Sequence, residues 1–195
     1  NRVVKGSLAT HKVWEEFGVD TSTYTIEELV FAALNHDLGK IGDENNEAYL
    51  PQTDKWRKDN LGELYVHNKA LPFTSVPDRG LFMLQSHGIN YTINEMLTIK
   101  LHDGLYDPAN EPYLKNWMPE TKPRTSLIYI VHQADMMAAR IEFENEYLPK
   151  FTESKEDNFK LQTKKSTKKT SVKNKALSDI PKNDNLKGVI DKFFE

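Results

Sequence analysis

The sequence predicts an all-α protein, a bundle of five to six helices with a short β-hairpin insertion. Three observations support this class. Apolar residues recur at three- and four-residue spacing in several segments, as they do on one face of a helix. Two of these segments open with a T-x-x-E capping box, formed by Thr25 with Glu28 and by Thr92 with Glu95. Glycines follow several segments at the point where a helix end is expected.

The main predicted helices are 2–17, a helix from Thr25 to Gly39, 78–86, 92–102 and 125–147. Gly18 and Gly88 are C-cap candidates, and Gly39 is expected to stop the second helix. That second helix carries the stripe Ile26, Leu29, Val30, Ala33 and Leu34. The longest helix carries the stripe Leu127, Ile130, Val131, Ala134, Ala138 and Ile141.

The polar stretch from Asp43 to Asn68 is the least regular part of the first 150 residues. The turn-forming residues Asp59–Gly62 lie between Lys55–Arg57 and Glu63–Val66, which predicts a hairpin closed by that turn. Further along, Tyr106, Tyr113 and Trp117 accompany a proline-rich loop. Such aromatics line a substrate mouth or cover the core, and we expect core cover.

Composition divides the chain into residues 1–150, 151–185 and 186–195. The first part is long enough for a domain with its own core. The second is a basic flexible linker crowded with lysines, among them Lys160 and Lys175, and a solvated tether is favoured over a nucleic-acid-binding arm. The third, with Phe193 and Phe194, is too apolar to remain solvated and predicts a docking helix.

The chain has a net charge of −3, so it exerts no global attraction for nucleic acid. It contains no run near 18 apolar residues, which predicts no membrane span. Because cysteine is absent, disulfides and thiolate chemistry are excluded, and a metal site must use His, Asp, Glu and water. The lack of disulfides fits a cytoplasmic protein. Oligomeric state is not encoded in any pattern of the sequence.

Histidine and aspartate residues, which can bind metals or transfer protons, recur at or beside the ends of apolar stripes. His36 and Asp37 end the second helix, with Asp37 four residues beyond Ala33. His102 similarly follows the stripe of the 92–102 helix, and Asp135 stands beside the stripe of the longest helix. Burying such groups is costly unless a cation, a proton or a hydrogen-bond partner accompanies them. His11 shares a face with Val4 and Leu8, where we favour a ligand over a satisfied core histidine.

The segment His36-Asp37-Leu38-Gly39-Lys40 resembles the defining motif of the HD-domain metal-dependent phosphohydrolases. The segments that carry His11, His102 and Asp135 resemble other segments of that family, so the resemblance covers about residues 3–148. It implies a helical fold and a divalent ion, Mn²⁺, Fe²⁺, Co²⁺, Zn²⁺ or Mg²⁺, held by His11, His36, Asp37 and Asp135. Some relatives have a further histidine that helps to hold a second metal. The corresponding segment Leu71–Gly80 contains none here.

The resemblance further implies hydrolysis of a small-molecule phosphoester, with a nucleotide or nucleotide-like substrate favoured. Asp37, Lys40 and His102 are the expected catalytic residues, and Lys40, Arg79 and His102 are expected to contact the phosphate. A guanidinium such as Arg79 suits phosphate because it offers a bidentate fork, although a surface ion pair explains it equally well. Two alternatives remain: a single-strand nuclease that uses the basic linker, and a non-catalytic metal- or nucleotide-binding module.

Overall fold

A computed structural model describes residues 2–149 of the 195-residue chain. This part is mostly helical, with one small antiparallel sheet, which agrees with the predicted all-α class and hairpin. The helices are α1 (Arg2–Glu16), α2 (Ile26–Asn35), α3 (Lys55–Leu61), α4 (Val76–Ser86), α5 (Ile93–Leu101), α6 (Glu111–Leu114) and α7 (Leu127–Glu142); the strands are β1 (Tyr49–Pro51) and β2 (Tyr65–His67). The predicted linker at 151–185 and docking helix at 186–195 lie outside the described residues.

The starts predicted for α2 and α5 are confirmed, whereas α4 begins at Val76, two residues before the predicted Asp78, because Ser75 caps it. Both capping boxes are present, with Thr25 and Thr92 each accepting a hydrogen bond from the backbone N–H of the glutamate three residues later. After α1, Gly18 adopts a φ of 86°, and its N–H donates to the Glu15 carbonyl. This left-handed conformation carries no steric penalty for glycine, so the chain can turn sharply towards α2.

The main core lies where α1 and α2 pack against α7 and where α5 joins α2 and α7. The predicted stripe of α7 is buried, from Leu127 to Ala138. Gly6 of α1 faces Ala134 and Met137, and a Cβ built on Gly6 would lie 3.3 Å from the Ala134 Cβ. Small residues on both helices therefore let α1 and α7 approach closely beside Asp135.

The stripe predicted for α2 is only partly buried. Leu29, Ala32 and Ala33 are fully buried, whereas Leu34 is 58% exposed and Ile26 is 42% exposed. The buried face thus includes Ala32, which packs with Ile99 of α5 and Leu84 of α4. Because α2 is covered from two sides, its buried face is displaced from the simple stripe read from the sequence.

The predicted end of α2 at Gly39 is wrong. The α-helix ends at Asn35, and a 3₁₀ turn follows at Leu38–Lys40. Gly39 is buried against the start of α4, where an added Cβ would overlap the Val76 carbonyl oxygen. Gly39 is therefore required for close packing and does not terminate the helix.

The hairpin exists and its second predicted strand overlaps β2, but its first predicted strand, Lys55–Arg57, is wrong. Residues Lys55–Leu61 form α3 because Asp54 caps its N-terminus and Gly62, at a φ of 68°, ends it. The hairpin instead pairs β1 with β2, with Leu50 opposite Val66. The turn residues thus close a helix, and the whole of α3 lies between the strands.

The expected core-covering role is wrong for Tyr106 and Trp117, whereas Tyr113 is only 37% exposed. Tyr106 is 77% exposed and Trp117 is 91% exposed.

Within residues 2–149, every helix is too short or too polar to cross a membrane.

Candidate metal centre

His36 is positioned by the last turn of α2. It is 5% exposed, and its Nδ1 lies 2.9 Å from the Ala33 carbonyl oxygen. A carbonyl accepts and cannot donate, so Nδ1 carries a proton and Nε2 is the nitrogen directed to other partners. His36 therefore presents Nε2 to the residues that surround the end of α2.

His102 repeats this arrangement at the end of α5. It is 1% exposed, and its Nδ1 lies 2.8 Å from the Ile99 carbonyl oxygen. The rings of His36 and His102 meet edge to face, with centroids 4.9 Å apart. Two separate helices thus bring two imidazole Nε2 atoms to the same place.

Asp135 reaches this place from α7. One of its carboxylate oxygens lies 3.4 Å from His36 Nε2. A set of ligand atoms from His36, His102 and Asp135, one from each residue, lies within 4.8 Å of one another. We refer to these three residues as the His–His–Asp cluster. Its members come from three helices, so the cluster depends on the packing of α2, α5 and α7.

Asp37 borders the cluster and holds Lys40. Its Oδ2 lies 2.6 Å from Lys40 Nζ and 3.4 Å from His36 Nε2. Its Oδ1 is buried without a hydrogen-bond partner and lies 3.6 Å from His102 Nε2, too far for a hydrogen bond. A buried carboxylate oxygen without a partner costs free energy. We therefore expect this atom to bind a further partner in the cluster.

The charges in the site are strongly coupled. Burial lowers the pKa of His36, but the carboxylates of Asp135 and Asp37 outweigh it and raise that pKa to about 10. Burial raises the pKa of Asp37, but neighbouring His102, His36 and Lys40 outweigh it and hold that pKa far below its usual range. Burial likewise raises the pKa of Asp135, and the contact with His36 outweighs it, so this pKa is also lowered. Two ionised carboxylates therefore face a site that favours a positive charge.

Lys40 contributes to this balance. Burial lowers the pKa of Lys40, but the hydrogen bond and charge of Asp37, with Asp135 and Asp103 beyond it, outweigh burial and raise that pKa. The lysine is therefore held in its ammonium form. Its side chain is 54% exposed, so the ammonium remains accessible from solvent.

These residues fit a divalent ion. Ligand atoms about 2.0–2.2 Å from one ion lie roughly 3.0–3.6 Å from each other, and the separations from His36 Nε2 to Asp37 and Asp135 are both 3.4 Å. The hydrogen bonds from Nδ1 of both histidines to carbonyls are those that orient a metal-binding imidazole. The unpartnered Asp37 Oδ1 also fits, because a cation would satisfy it.

The cluster shares His36 and Asp135 with the predicted ligand set and includes neither His11 nor Asp37. The Nδ1 of His11 lies 2.7 Å from the Tyr24 hydroxyl, and His11 is not part of the cluster. Tyr24, which follows α1 in the sequence, is buried in the main core, so it gives His11 a buried polar partner. His102, which the resemblance left outside the ligand set, is part of the cluster instead.

Arg79 also has a different environment from the one expected of a surface ion pair. It is 7% exposed, and its guanidinium donates to the carbonyls of Gly39 and Pro72, each at 3.2 Å. These bonds tie α4 to the turn that follows Asp37. The structure therefore gives Arg79 a role in supporting the turn that carries Lys40.

Sequence reasoning missed two residues of this site, Asp103 and His132. Asp103 has a carboxylate oxygen 3.5 Å from His102 Nε2, and the Nδ1 of His132 lies 2.6 Å from the His102 carbonyl oxygen. Two signals were present in the sequence. His102-Asp103 repeats the His36-Asp37 pair, and His132 precedes Asp135 by three residues, which places both on one face of a helix.

The site opens to solvent through a cleft of about 320 Å³. Its lining includes Asp103, His132 and Asp135, so one cluster residue borders it directly.

Comparisons of the chain with protein-family models, with curated proteins and with solved structures found no match.

Proposed function

We propose that this protein is a metal-dependent phosphohydrolase of the HD type that cleaves a small phosphoester, with a nucleotide-like substrate favoured. The observation that carries the proposal is the His–His–Asp cluster, with the unpartnered Oδ1 of Asp37 beside it. The motif His36-Asp37-Leu38-Gly39-Lys40 supports the choice of family. In this proposal His36, His102 and Asp135 hold a divalent ion, and Asp37 completes its surroundings.

Such an ion supplies a nucleophilic water near neutral pH and polarises a phosphoryl oxygen. Borderline ions such as Mn²⁺, Fe²⁺, Co²⁺ and Zn²⁺ suit a set of imidazoles and carboxylates. In the overall reaction the oxygen of water bonds to phosphorus, the bond from phosphorus to the ester oxygen breaks, and the released alkoxide takes a proton. The products are inorganic phosphate and an alcohol.

Lys40 has an electrostatic role in this reaction. Its ammonium is anchored at 2.6 Å by Asp37, and its pKa is raised, so it stays charged at neutral pH. A fixed ammonium beside the cluster stabilises the negative charge on the phosphoryl oxygens and on the leaving oxygen. Arg79 supports this arrangement indirectly, because it donates to the Gly39 carbonyl immediately before Lys40.

The test is a phosphate-release screen of the purified protein with Mn²⁺. Phosphate release is measured with nucleoside mono-, di- and triphosphates and with simple phosphomonoesters. Cyclic dinucleotides and a single-stranded oligonucleotide are followed by chromatography, because cutting a phosphodiester releases no inorganic phosphate. Asp135→Asn is the matched variant, since it preserves side-chain size and removes the charge that contacts His36. We expect phosphate release by the wild type and a loss of at least about 100-fold in the variant.

Three results would contradict the proposal. Equal turnover by the wild type and Asp135→Asn would show that the cluster is not the active site. Cleavage of the oligonucleotide alone would indicate a nuclease. Stoichiometric binding of Mn²⁺ without release from any substrate would indicate a non-catalytic binding module.

A further inference from the structure

A second cleft adjoins the one that borders Asp135. It has a volume of about 440 Å³ and shares Tyr106, His132 and Met136 with the first cleft. The two clefts differ in chemistry beyond these shared residues. The first also contains the carboxylates Asp103 and Asp135, whereas the second is lined by apolar residues, including Leu114 and Ile128. A ligand that spans both would place a polar group at the cluster and an apolar group away from it.

Tyr106 is the prominent aromatic residue of this surface. Its side chain lies at the boundary of the two clefts and is 77% exposed, so its ring covers no core. Its hydroxyl lies 3.6 Å from the sulfur of Met136, which gives the ring a contact on α7. Exposed aromatic rings beside a cleft are suitable surfaces for stacking a flat ligand ring.

His132 is held rigidly between the clefts. Its Nδ1 donates to the His102 carbonyl at 2.6 Å, so Nε2 is left as an acceptor in the neutral ring. Gly104 makes this position possible. A Cβ on Gly104 would lie within 2.9 Å of three atoms of the His132 ring. Within residues 2–149 no hydrogen-bond partner of Nε2 is found, so this acceptor is free to receive a donor from a ligand.

We infer that Tyr106 and His132 form a subsite for the leaving group of the substrate, which is a phosphoester whose alcohol part carries a flat ring. The inference rests on the proposed function, because the phosphoryl group is placed at the His–His–Asp cluster. The ring stacks on Tyr106 within the apolar cleft. His132 Nε2 accepts a hydrogen bond from a hydroxyl or an N–H of the same group. A nucleoside provides both features, whereas a simple aryl ester provides only the ring.

The experiment compares adenosine monophosphate, phenyl phosphate and glycerol phosphate with Mn²⁺ present, by titration calorimetry and by phosphate release. The variants are Tyr106→Leu, Tyr106→Phe and His132→Asn. Asn keeps an N–H near the Nδ1 position and removes the Nε2 acceptor. Tyr65→Leu on β2 is the matched control, because Tyr65 is also well exposed, at 61%, and lies outside both clefts.

We expect the wild type to bind adenosine monophosphate more tightly than glycerol phosphate. Tyr106→Leu should reduce this preference about tenfold, with little change in Tyr106→Phe, because stacking on an aromatic ring is lost only in Leu. His132→Asn should weaken binding of adenosine monophosphate more than binding of phenyl phosphate. Tyr65→Leu should match the wild type. If His132→Asn affects both ring-bearing ligands equally, the nucleoside assignment is overturned and an aryl ester remains.

Equal affinity of the wild type for adenosine monophosphate and glycerol phosphate overturns the inference, and so does an unchanged preference in Tyr106→Leu. Absence of any binding overturns it as well. Failure of the proposed function gives a different result. In that case no phosphate is released, while calorimetry still reports whether the ring preference depends on Tyr106.

Discussion

The ends of α2 and α5 carry the same local arrangement in two different settings. Each helix begins with a threonine–glutamate capping box and is followed directly by a histidine and an aspartate. In each case the histidine Nδ1 bonds to the carbonyl three residues earlier, at 2.9 Å for His36 and 2.8 Å for His102. The Nε2 atoms lie 3.4 and 3.5 Å from the carboxylates of the aspartates that follow.

The two ends differ in what surrounds the aspartate. Asp37 is bonded to Lys40, and its turn is packed under α4 through Gly39. Asp103 has a side chain that is 46% exposed, against 30% for Asp37, and its turn is packed against His132 through Gly104. The same local arrangement therefore yields an aspartate bonded to Lys40 at the end of α2 and a more exposed aspartate that lines a cleft at the end of α5. The neighbours supplied by the fold make this difference.

Alanine substitutions at the two glycines give the largest expected effect on stability. Gly39→Ala should lower the free energy of unfolding by about 3 kcal/mol, because its Cβ meets the backbone of Val76 and Gly80, which cannot move aside. Gly104→Ala should cost about 2 kcal/mol, from its positive φ and from the His132 ring, which has some freedom to shift. Urea unfolding measures both.

Gly88→Ala is the matched control for this comparison. Gly88 also has a positive φ, of 70°, but nothing lies within 4 Å of its added Cβ. Gly88→Ala should lower the free energy of unfolding by only about 1 kcal/mol, which is the cost of a non-glycine residue at positive φ. If all three variants lost the same free energy, the close packing described at Gly39 and Gly104 would be incorrect.

The two histidines should be equivalent in metal binding. His36→Ala and His102→Ala should each weaken the binding of Mn²⁺ by more than about 100-fold, since each removes one of three convergent donors. His11→Ala is the control and should change the affinity less than about threefold, because His11 bonds to Tyr24. Equilibrium dialysis with metal analysis measures this. The ligand set read from the resemblance would be restored if His11→Ala lost the ion and His102→Ala kept it.

The two aspartates should not be equivalent. Asp37→Asn removes the anchor of Lys40 and should lower kcat by about 100-fold or more, within the range for losing a preorganised electrostatic contact. Asp103→Asn should lower kcat by less than about tenfold, since Asp103 is more exposed and forms no ion pair with a lysine within residues 2–149. Steady-state kinetics with the substrate identified by the screen measures kcat of both variants. A larger effect at Asp103 would reverse the comparison.

The smallest effect on stability is expected at the hydrogen bonds that join the capping box of α2 to that of α5. Thr92 donates to Glu28 at 2.6 Å, and Asn94 donates to it at 3.2 Å. Partial burial raises the pKa of Glu28, but hydrogen bonds from Thr92, the Thr25 backbone and Asn94 outweigh burial, so the pKa is lowered. A lowered carboxyl pKa contributes stability above the unfolded pKa of about 4.3, and that contribution is lost as the pH falls through the folded pKa.

Glu28→Gln should therefore cost about 0.5–1 kcal/mol at pH 7, and this cost should decrease as the pH falls through the lowered pKa of Glu28. Glu27→Gln, on the same first turn, is the control, and it should show no comparable dependence on pH because Glu27 makes no such contacts within residues 2–149. Chemical unfolding at several pH values gives the two curves. A cost for Glu28→Gln that did not vary with pH would mean that the charge of Glu28 does not stabilise this junction.

The elements that local chemistry specifies were predictable from the sequence. Capping boxes at Thr25 and Thr92 begin helices because they satisfy their own first N–H groups, and this requires no distant contact. His36, Asp37 and Asp135 were predictable as site residues because polar groups beside apolar stripes must meet partners inside. The hairpin was misplaced because Gly62, read as part of a turn, serves equally well as the C-cap of a helix, and Asp54 caps the start of that helix.

The sequence by itself therefore determined where the capped helices begin and which polar side chains lie beside their apolar stripes, since both depend on spacing along one chain. Only the tertiary structure decided which of those side chains meet. His11 turns to Tyr24 and Arg79 to backbone carbonyls, whereas His102 joins His36 and Asp135. The physical reason is that helix periodicity defines a direction for each side chain, but distances of a few ångströms between helices depend on how their surfaces pack.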